Sequence, residues 1–320
     1  MRLFLYIILA LLPLHVMAKS TLATANADNE QQLLKLLDSY IDKRNTYSEI
    51  KEEKIKRLKL KLRTADNNSS RLSLLNTIYH EYYTYSYDSA MVYANRGLAL
   101  AQSVNNAYYT TLNRINRAAV LSTGGFYSQA ETLLNEIGEN NVPHQLKQYY
   151  YYTTTWLYSY WEAFCDKSEF KDYYRQKKLQ FLRLTVNTTH SNYVGLYAYL
   201  SGELAYLEKP LGKNVLRHYT IAINNSPVNS RVHASAAYCI ARYYREIGNM
   251  QLYEKYIIEA AISDMVCPLK ENLALQELST YLYKKDTKYA DRAARYIYCS
   301  MEDAQFYNNR LRMLEISSIL

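Results

Sequence analysis

Between Ser69 and the last residue one pattern recurs along the chain, and it leaves few options for the fold. A tyrosine-rich amphipathic helix is followed by a short break, then by an aromatic residue a few positions ahead of a small one, then by a second helix. The clearest copies are Gly125-Phe126-Tyr127-Ser128-Gln129-Ala130 and Gly248-Asn249-Met250-Gln251-Leu252-Tyr253, with Ala260 further on. Tyr85-Ser86-Tyr87-Asp88-Ser89-Ala90 is a third copy without the glycine. A helix pair of this kind cannot bury its apolar face alone, so successive pairs must stack into a solenoid.

The spacing of these copies, roughly 34 to 45 residues, is that of tetratricopeptide-type units. Only 8 glycines and 5 prolines punctuate 320 residues, which argues for long helices and short connections. The expected fold is all-α, a tetratricopeptide-like right-handed superhelix of about six helix pairs preceded by an N-terminal long helix. Glu30 to Arg63 reads as that one helix, a capping or coiled element ended by the turn-forming run Asp66-Asn67-Asn68-Ser69-Ser70. The pairs are expected at 71–103, 107–137, 143–185, 191–224, 229–263 and 268–303, and a further helix opens near Phe306. Domain boundaries follow as 1–18, a leader; 19–68, linker and N-terminal helix; and 69–320, the repeat domain.

The leader reading rests on Arg2, the uncharged apolar run Leu3 to Leu12, Pro13, and the small-residue site Val16-Met17-Ala18. The run is shorter than the roughly 20 residues a membrane span needs, so export with cleavage and a periplasmic location are the expectation. At the other end, Asn309 to Leu320 is a helical pattern that finishes on apolar residues, which reads as a truncated longer protein.

The formal charge is +8. The leader argues against nucleic acid as the partner of this segment. The one basic run, Lys51 to Arg63, contains Glu52 and Glu53 in its first turns and reads as a solvated helix face rather than an anion-binding patch. Tyrosine is the compositional outlier, with 36 residues against 2 tryptophans and 6 phenylalanines. Most of these tyrosines are expected between helices, and others on a groove, where the ring offers an apolar body with a polar tip.

No catalytic constellation is evident. His80, His144, His190, His218 and His233 fall in no metal-ligand spacing, and no nucleophile elbow or phosphate loop appears. Glu203 near Arg217, and Glu246 near Arg242 and Arg245, fit groove electrostatics or simple ion pairs, and the simple pairs are the favoured reading. The expectation is a protein without enzyme activity, metal or cofactor. Of the cysteines Cys165, Cys239, Cys267 and Cys299, the pair Cys267–Cys299 is the candidate disulfide, since an antiparallel sixth hairpin puts both at one end; buried free thiols are the alternative. Asp88-Ser89-Ala90 fits both a helix N-cap and a short O-glycosylation acceptor pattern.

The junction Tyr82 to Ala90, the segment Leu37-Asp38 through Lys43, the Lys51 to Leu62 helix and the final Arg310 to Leu320 segment together resemble the exported tetratricopeptide sensor region of one-component regulators common in Bacteroidales. That resemblance implies periplasmic repeats followed by a single span, a cytoplasmic coiled coil and an output domain. The membrane would then be reached only through a downstream span. In such arrays the first helix of each pair forms the concave face. Tyr152, Trp156 and Tyr160 in the third unit, and Tyr238, Arg242 and Arg245 in the fifth, are the candidate groove residues. They would take a peptide, a protein or a small polar ligand, and a homodimer is allowed. A periplasmic scaffold without a small ligand and a glycan-binding protein of the starch-utilisation type are the competing readings.

Overall fold

The computed structural model describes residues 30–270 and 273–319, so the leader and linker readings lie outside the described residues. Among these residues there are fifteen α-helices and no strand. Two helices come first, α1 (Glu30–Asp42) and α2 (Arg44–Arg63). Three pairs follow: α3 (Asn68–Tyr82) with α4 (Tyr87–Ser103), α5 (Ala107–Thr123) with α6 (Tyr127–Ile137), and α7 (Lys147–Phe164) with α8 (Lys171–Thr188). Three more are α9 (Val194–Glu208) with α10 (Lys213–Asn224), α11 (Arg231–Glu246) with α12 (Met250–Val266), and α13 (Leu273–Lys285) with α14 (Ala290–Tyr307). Helix α15 (Arg310–Ser317) follows the six pairs. Each helix packs chiefly on its chain neighbours, as a solenoid requires.

Local chemistry sets the helix ends. Asn67, Asn106, Ser230, Asn249 and Asn309 each precede a helix, and each side chain accepts a hydrogen bond from a first-turn backbone N–H. Such caps satisfy donors that the helix itself cannot, worth about 1 kcal/mol apiece. Between the helices of the second and fifth pairs the chain turns through Gly125 (φ +84°) and Gly248 (φ +76°). Both sit in the left-handed region, where a side chain is strained.

The N-terminal segment is two helices, not one. Leu33, Leu34, Leu37 and Ile41 of α1 are buried in the main core, against α12 and its neighbours, whereas Ile55 and Leu62 of α2 are buried against the first repeat. These apolar stripes are separated by the polar stretch Asp42 to Thr46, and the chain breaks at Lys43 to serve both surfaces.

The same helix closes the array. Asp38 accepts hydrogen bonds from Arg292 (2.9 Å) and from the fully buried Tyr296 (2.8 Å), both on α14. Arg295 reaches Asp42, Arg44 reaches Glu302, and Lys285 lies 2.8 Å from Glu30. The first repeat meets the last as well. Tyr307 donates to the Tyr83 carbonyl (2.8 Å) and shares a hydrogen bond with Thr123 (2.7 Å), while Lys270 N–H donates to the Thr84 carbonyl (3.0 Å). Contacts between residues more than 180 positions apart thus join the two ends of the superhelical turn.

Tyrosine hydroxyls pair with carboxylates across many helix interfaces. Tyr219 donates to Glu203 (2.6 Å), Tyr158 to Glu131 (2.8 Å), Tyr151 to Glu139 (2.6 Å), and Tyr281 to Glu254. Burial first, and then the neighbouring carboxylate, pushes Tyr151 and Tyr281 up to about 12, and Tyr158 and Tyr296 higher still. Among the described residues no helix is long and apolar enough to cross a membrane.

Two outcomes follow from these contacts. Leu37→Ala should cost about 2–5 kcal/mol, as a buried leucine does, and Asp38→Ala roughly 2 kcal/mol by stranding the Tyr296 hydroxyl. Both should raise hydrogen exchange in α1 before the rest of the chain, and uniform exchange across the chain would contradict the closing role of α1. The pH dependence has a fixed sign. These tyrosines titrate higher folded than their ordinary value of 10, so their contribution is complete below pH 10 and is lost as the pH rises through the folded values. Ultraviolet titration should therefore show tyrosines that ionise only together with loss of helical circular dichroism.

Candidate functional site

The first helix of each pair faces the inside of the array, and its inward residues recur at three- and four-residue steps along one stripe. On the early repeats this stripe is polar and closed: Asn116 on α5 donates to Asn76 on α3 (3.1 Å) and accepts from Tyr149 on α7 (2.9 Å). Beyond Tyr149 the faces separate, leaving a cavity of about 540 Å³ bounded by α7, α9, α11, α13 and α15. That volume lies within the range of small-molecule sites.

Five of the six groove residues named from the sequence line this cavity: Tyr152, Trp156 and Tyr160 from α7, with Tyr238 and Arg242 from α11. Arg245, one turn beyond Arg242, is exposed and lies outside the lining, where it holds Glu277 of α13 at 2.7 Å. The wall also contains Tyr199 and Glu203 of α9, Arg231 of α11, and Arg312 and Glu315 of α15.

One wall is aromatic. Trp156 stacks on Tyr199 (6.2 Å between centroids, 10° between planes), and Tyr152 meets Trp156 edge-on at 5.9 Å. The indole Nε1 of Trp156 is buried and has no hydrogen-bond partner among the described residues. Opposite, Arg231 spans the interior, donating to the Tyr160 hydroxyl (3.2 Å) while lying 5.6 Å over the Tyr83 ring of the first repeat.

The floor is a charge network. Glu203 accepts from Arg242 (3.0 Å), the Tyr219 hydroxyl (2.6 Å) and the Cys239 thiol (3.2 Å), and the Arg242 guanidinium lies 3.7 Å over the Tyr206 ring. Burial pushes the Glu203 carboxyl up, but Arg242, Lys178 and these hydrogen bonds outweigh it and hold the group below its usual 4.5. Burial and the same carboxylate push the Cys239 thiol well above its ordinary range, so it is a neutral donor rather than a nucleophile.

Four more of the six acids in the lining have cations: Glu162 with Lys178 (3.3 Å), Glu277 with Arg245, Asp166 with Lys171, and Glu315 with Arg312. The surface is thus polar and locally neutralised. It can stack on a flat apolar face and exchange hydrogen bonds, and nothing in it generates a strong nucleophile or general base. Among the described residues no group of histidine, cysteine and acidic side chains could hold a metal ion.

Three sequence expectations change. Glu203 pairs with Arg242 rather than with Arg217, and Glu246 accepts from Tyr206 (2.5 Å). Cys267 and Cys299 are free thiols. Cys267 closes α12 near Lys51, whereas Cys299 is buried on α14 near Arg44, so the two serve different interfaces. A signal for the missed pairs was present. Glu203–Arg242 and Tyr238–Glu277 are each 39 residues apart, one repeat, so equivalent positions on adjacent inner helices face one another.

Glu203→Gln should destabilise the chain by about 3 kcal/mol, because it leaves Arg242 buried without its counter-charge. Combining it with Arg242→Met should recover part of that loss in chemical denaturation, and additive losses would contradict the pairing. The wild-type contribution of Glu203 is complete above pH 4.5 and is lost as the pH falls through its lower folded value. The variant should lack that acid limb.

The fold agrees with the comparison to known proteins. No curated protein matches the chain. The profile of the SusR N-terminal TPR domain matches residues 41–318, from the end of α1 through α15, and so takes in every helix that lines the cavity. The chain therefore belongs to the family of the SusR N-terminal TPR domain.

Proposed function

We propose that this chain is the sensing part of an exported, membrane-spanning transcriptional regulator, and that its ligand occupies the cavity between the third, fourth, fifth and sixth repeats. The observation that supports this most is that the last helix, α15, contributes Arg312 and Glu315 to the cavity wall. A ligand there touches four repeats and the segment leading out of the domain at once. It can bias the angle of α15, provided it binds two arrangements of the array with different affinity. The periplasm is the compartment this reading requires, and the apolar leader at residues 3–12 supports it.

The lining favours an uncharged or zwitterionic polar ligand over a strongly ionic one, because five of its six carboxylates already have cations. The Trp156–Tyr199 stack offers a flat face, and the Trp156 indole N–H offers a donor to an acceptor on the ligand. An exposed acid or base would have to break existing ion pairs to bind, at a cost of several kcal/mol for the buried ones.

The test uses the tryptophans as reporters, since Trp156 and Trp161 are the only two in the chain. The purified chain is titrated with a panel of neutral oligosaccharides and short peptides while tryptophan emission is followed. A binder should lose affinity roughly tenfold in Trp156→Phe, which removes the indole donor, and should change the small-angle scattering or cross-linking of the wild-type chain. A tight binder indifferent to Trp156→Phe would place the ligand elsewhere, and binding without any change of shape or assembly would remove the sensor mechanism.

A further inference from the structure

A second cavity, of about 650 Å³, lies on a different part of the molecule, where α2 meets the first repeat. Its charged lining consists of Lys59 and Arg63 from α2, Arg71 from α3 and Arg96 from α4, with no carboxylate among the lining residues. Its apolar floor includes the buried Leu62, Leu75 and Tyr93. The basic run of α2, which mixes acids into its first turns, presents only cations here. Glu53 is drawn off to Lys56 (3.2 Å), and Glu52 lies by Tyr85, outside the lining, though its charge still reaches Lys59. Asp66 and Asp88 flank the region in sequence without entering the lining.

None of these four cations is in an ion pair among the described residues, in contrast to those of the central cavity. Aromatic faces hold two of them in place. Lys59 lies 5.2 Å over the Tyr82 ring and 6.0 Å from that of Tyr93, and Arg96 lies 5.1 Å from the Tyr93 ring on its own helix. Such contacts position a cation without neutralising it. Tyr82 first, with Tyr93 and Glu52 in support, holds the Lys59 ammonium above its ordinary value, so it stays charged and available to an anion.

We propose that this hollow is a binding site for a phosphate or sulfate group carried on an apolar or flat body. Guanidinium forks match oxyanions by paired hydrogen bonds, and three of the four cations are arginines. The hollow is larger than an inorganic ion needs, and the leucines and Tyr93 beneath the cations accommodate the attached body. A free organic ester and a lipid headgroup present the same chemistry.

The test measures binding of pyrophosphate and phenyl phosphate to the purified chain by calorimetry at low ionic strength, alongside co-sedimentation with phosphatidylglycerol and phosphatidylcholine vesicles. Arg71→Gln and Arg96→Gln should each weaken binding about tenfold, as loss of a charged hydrogen bond does. Arg57→Gln, on α2 but outside the lining, should leave it unchanged. Both arginines are exposed, so the variants should keep the wild-type circular dichroism and melting temperature. Binding of the soluble esters alone assigns the site to a free ligand. Arginine-dependent sedimentation with phosphatidylglycerol, but not phosphatidylcholine, assigns it to a headgroup. Failure of every probe to bind, or an equal loss in Arg57→Gln, overturns the proposal.

Discussion

A tyrosine buried between two helices brings a large apolar body and one hydroxyl that must be satisfied, and that requirement organises this molecule. Wherever a buried tyrosine packs, an acceptor has to be supplied by the facing helix. The chain supplies carboxylates for several, Glu203 for Tyr219, Glu131 for Tyr158, Glu254 for Tyr281 and Asp38 for Tyr296, and backbone carbonyls for others, Asn116 for Tyr79 and Tyr83 for Tyr307. A leucine in the same place would fill the volume without choosing a partner. A tyrosine fills it and selects the register as well, because sliding one helix by a turn would strand the hydroxyl. The cost of a buried unpaired hydroxyl, about 1–3 kcal/mol, is large against the marginal stability of a whole domain.

The same chemistry turns a row of repeats into a closed body. Solenoid units contact only their neighbours, so the terminal units of an open array carry uncovered faces. Here α1 covers part of the fifth and sixth repeats with its leucines and then reaches α14 through Asp38, Asp42 and the adjoining Arg44. Closure constrains the interior. Repeats one to three press their inner stripes together through Asn76, Asn116 and Tyr149, so the remaining space collects between repeats three to six. The cavity is therefore a consequence of how the ring is shared out, and a change at the clasp would be felt in its width.

Local periodicity made the helices legible in the sequence. The glycine breaks at Gly125 and Gly248, and the turn-forming run Asp66 to Ser70, mark ends that fall within a few residues of the observed ones. The inward stripe was legible for the same reason, and Tyr152, Trp156, Tyr160, Tyr238 and Arg242 all reach one cavity wall. What could not be read was anything that depends on the summed rotation of successive repeats. The Asp38–Tyr296 bond joins residues 258 apart, and no pattern of apolar residues announces it. The break at Lys43 has no glycine or proline to signal it, because it arises from two surfaces competing for one helix. Glu203 seemed ordinary because its partner lies one repeat further on, not one turn away.

The two hollows differ in a way that follows from which helices build them. The central one is made by inner helices of several repeats whose carboxylates are met by cations of neighbouring helices, Arg242 for Glu203, Arg245 for Glu277 and Lys178 for Glu162, so much of its field is cancelled locally. The outer one forms where α2, which is not part of a pair, lies against α3 and α4. Glu81 of the first repeat takes Lys51 and Lys54 at the start of the basic run, but no carboxylate lines the hollow at its end, where Lys59, Arg63, Arg71 and Arg96 gather without ion pairs among the described residues. The basic face of α2 and the neutral inner groove are thus two results of one architecture. Charge is balanced in the groove and along most of the contact of α1 and α2 with the array, where Glu81 takes Lys54 and Glu302 takes Arg44, and ion pairs are lacking, among the described residues, at the C-terminal end of α2.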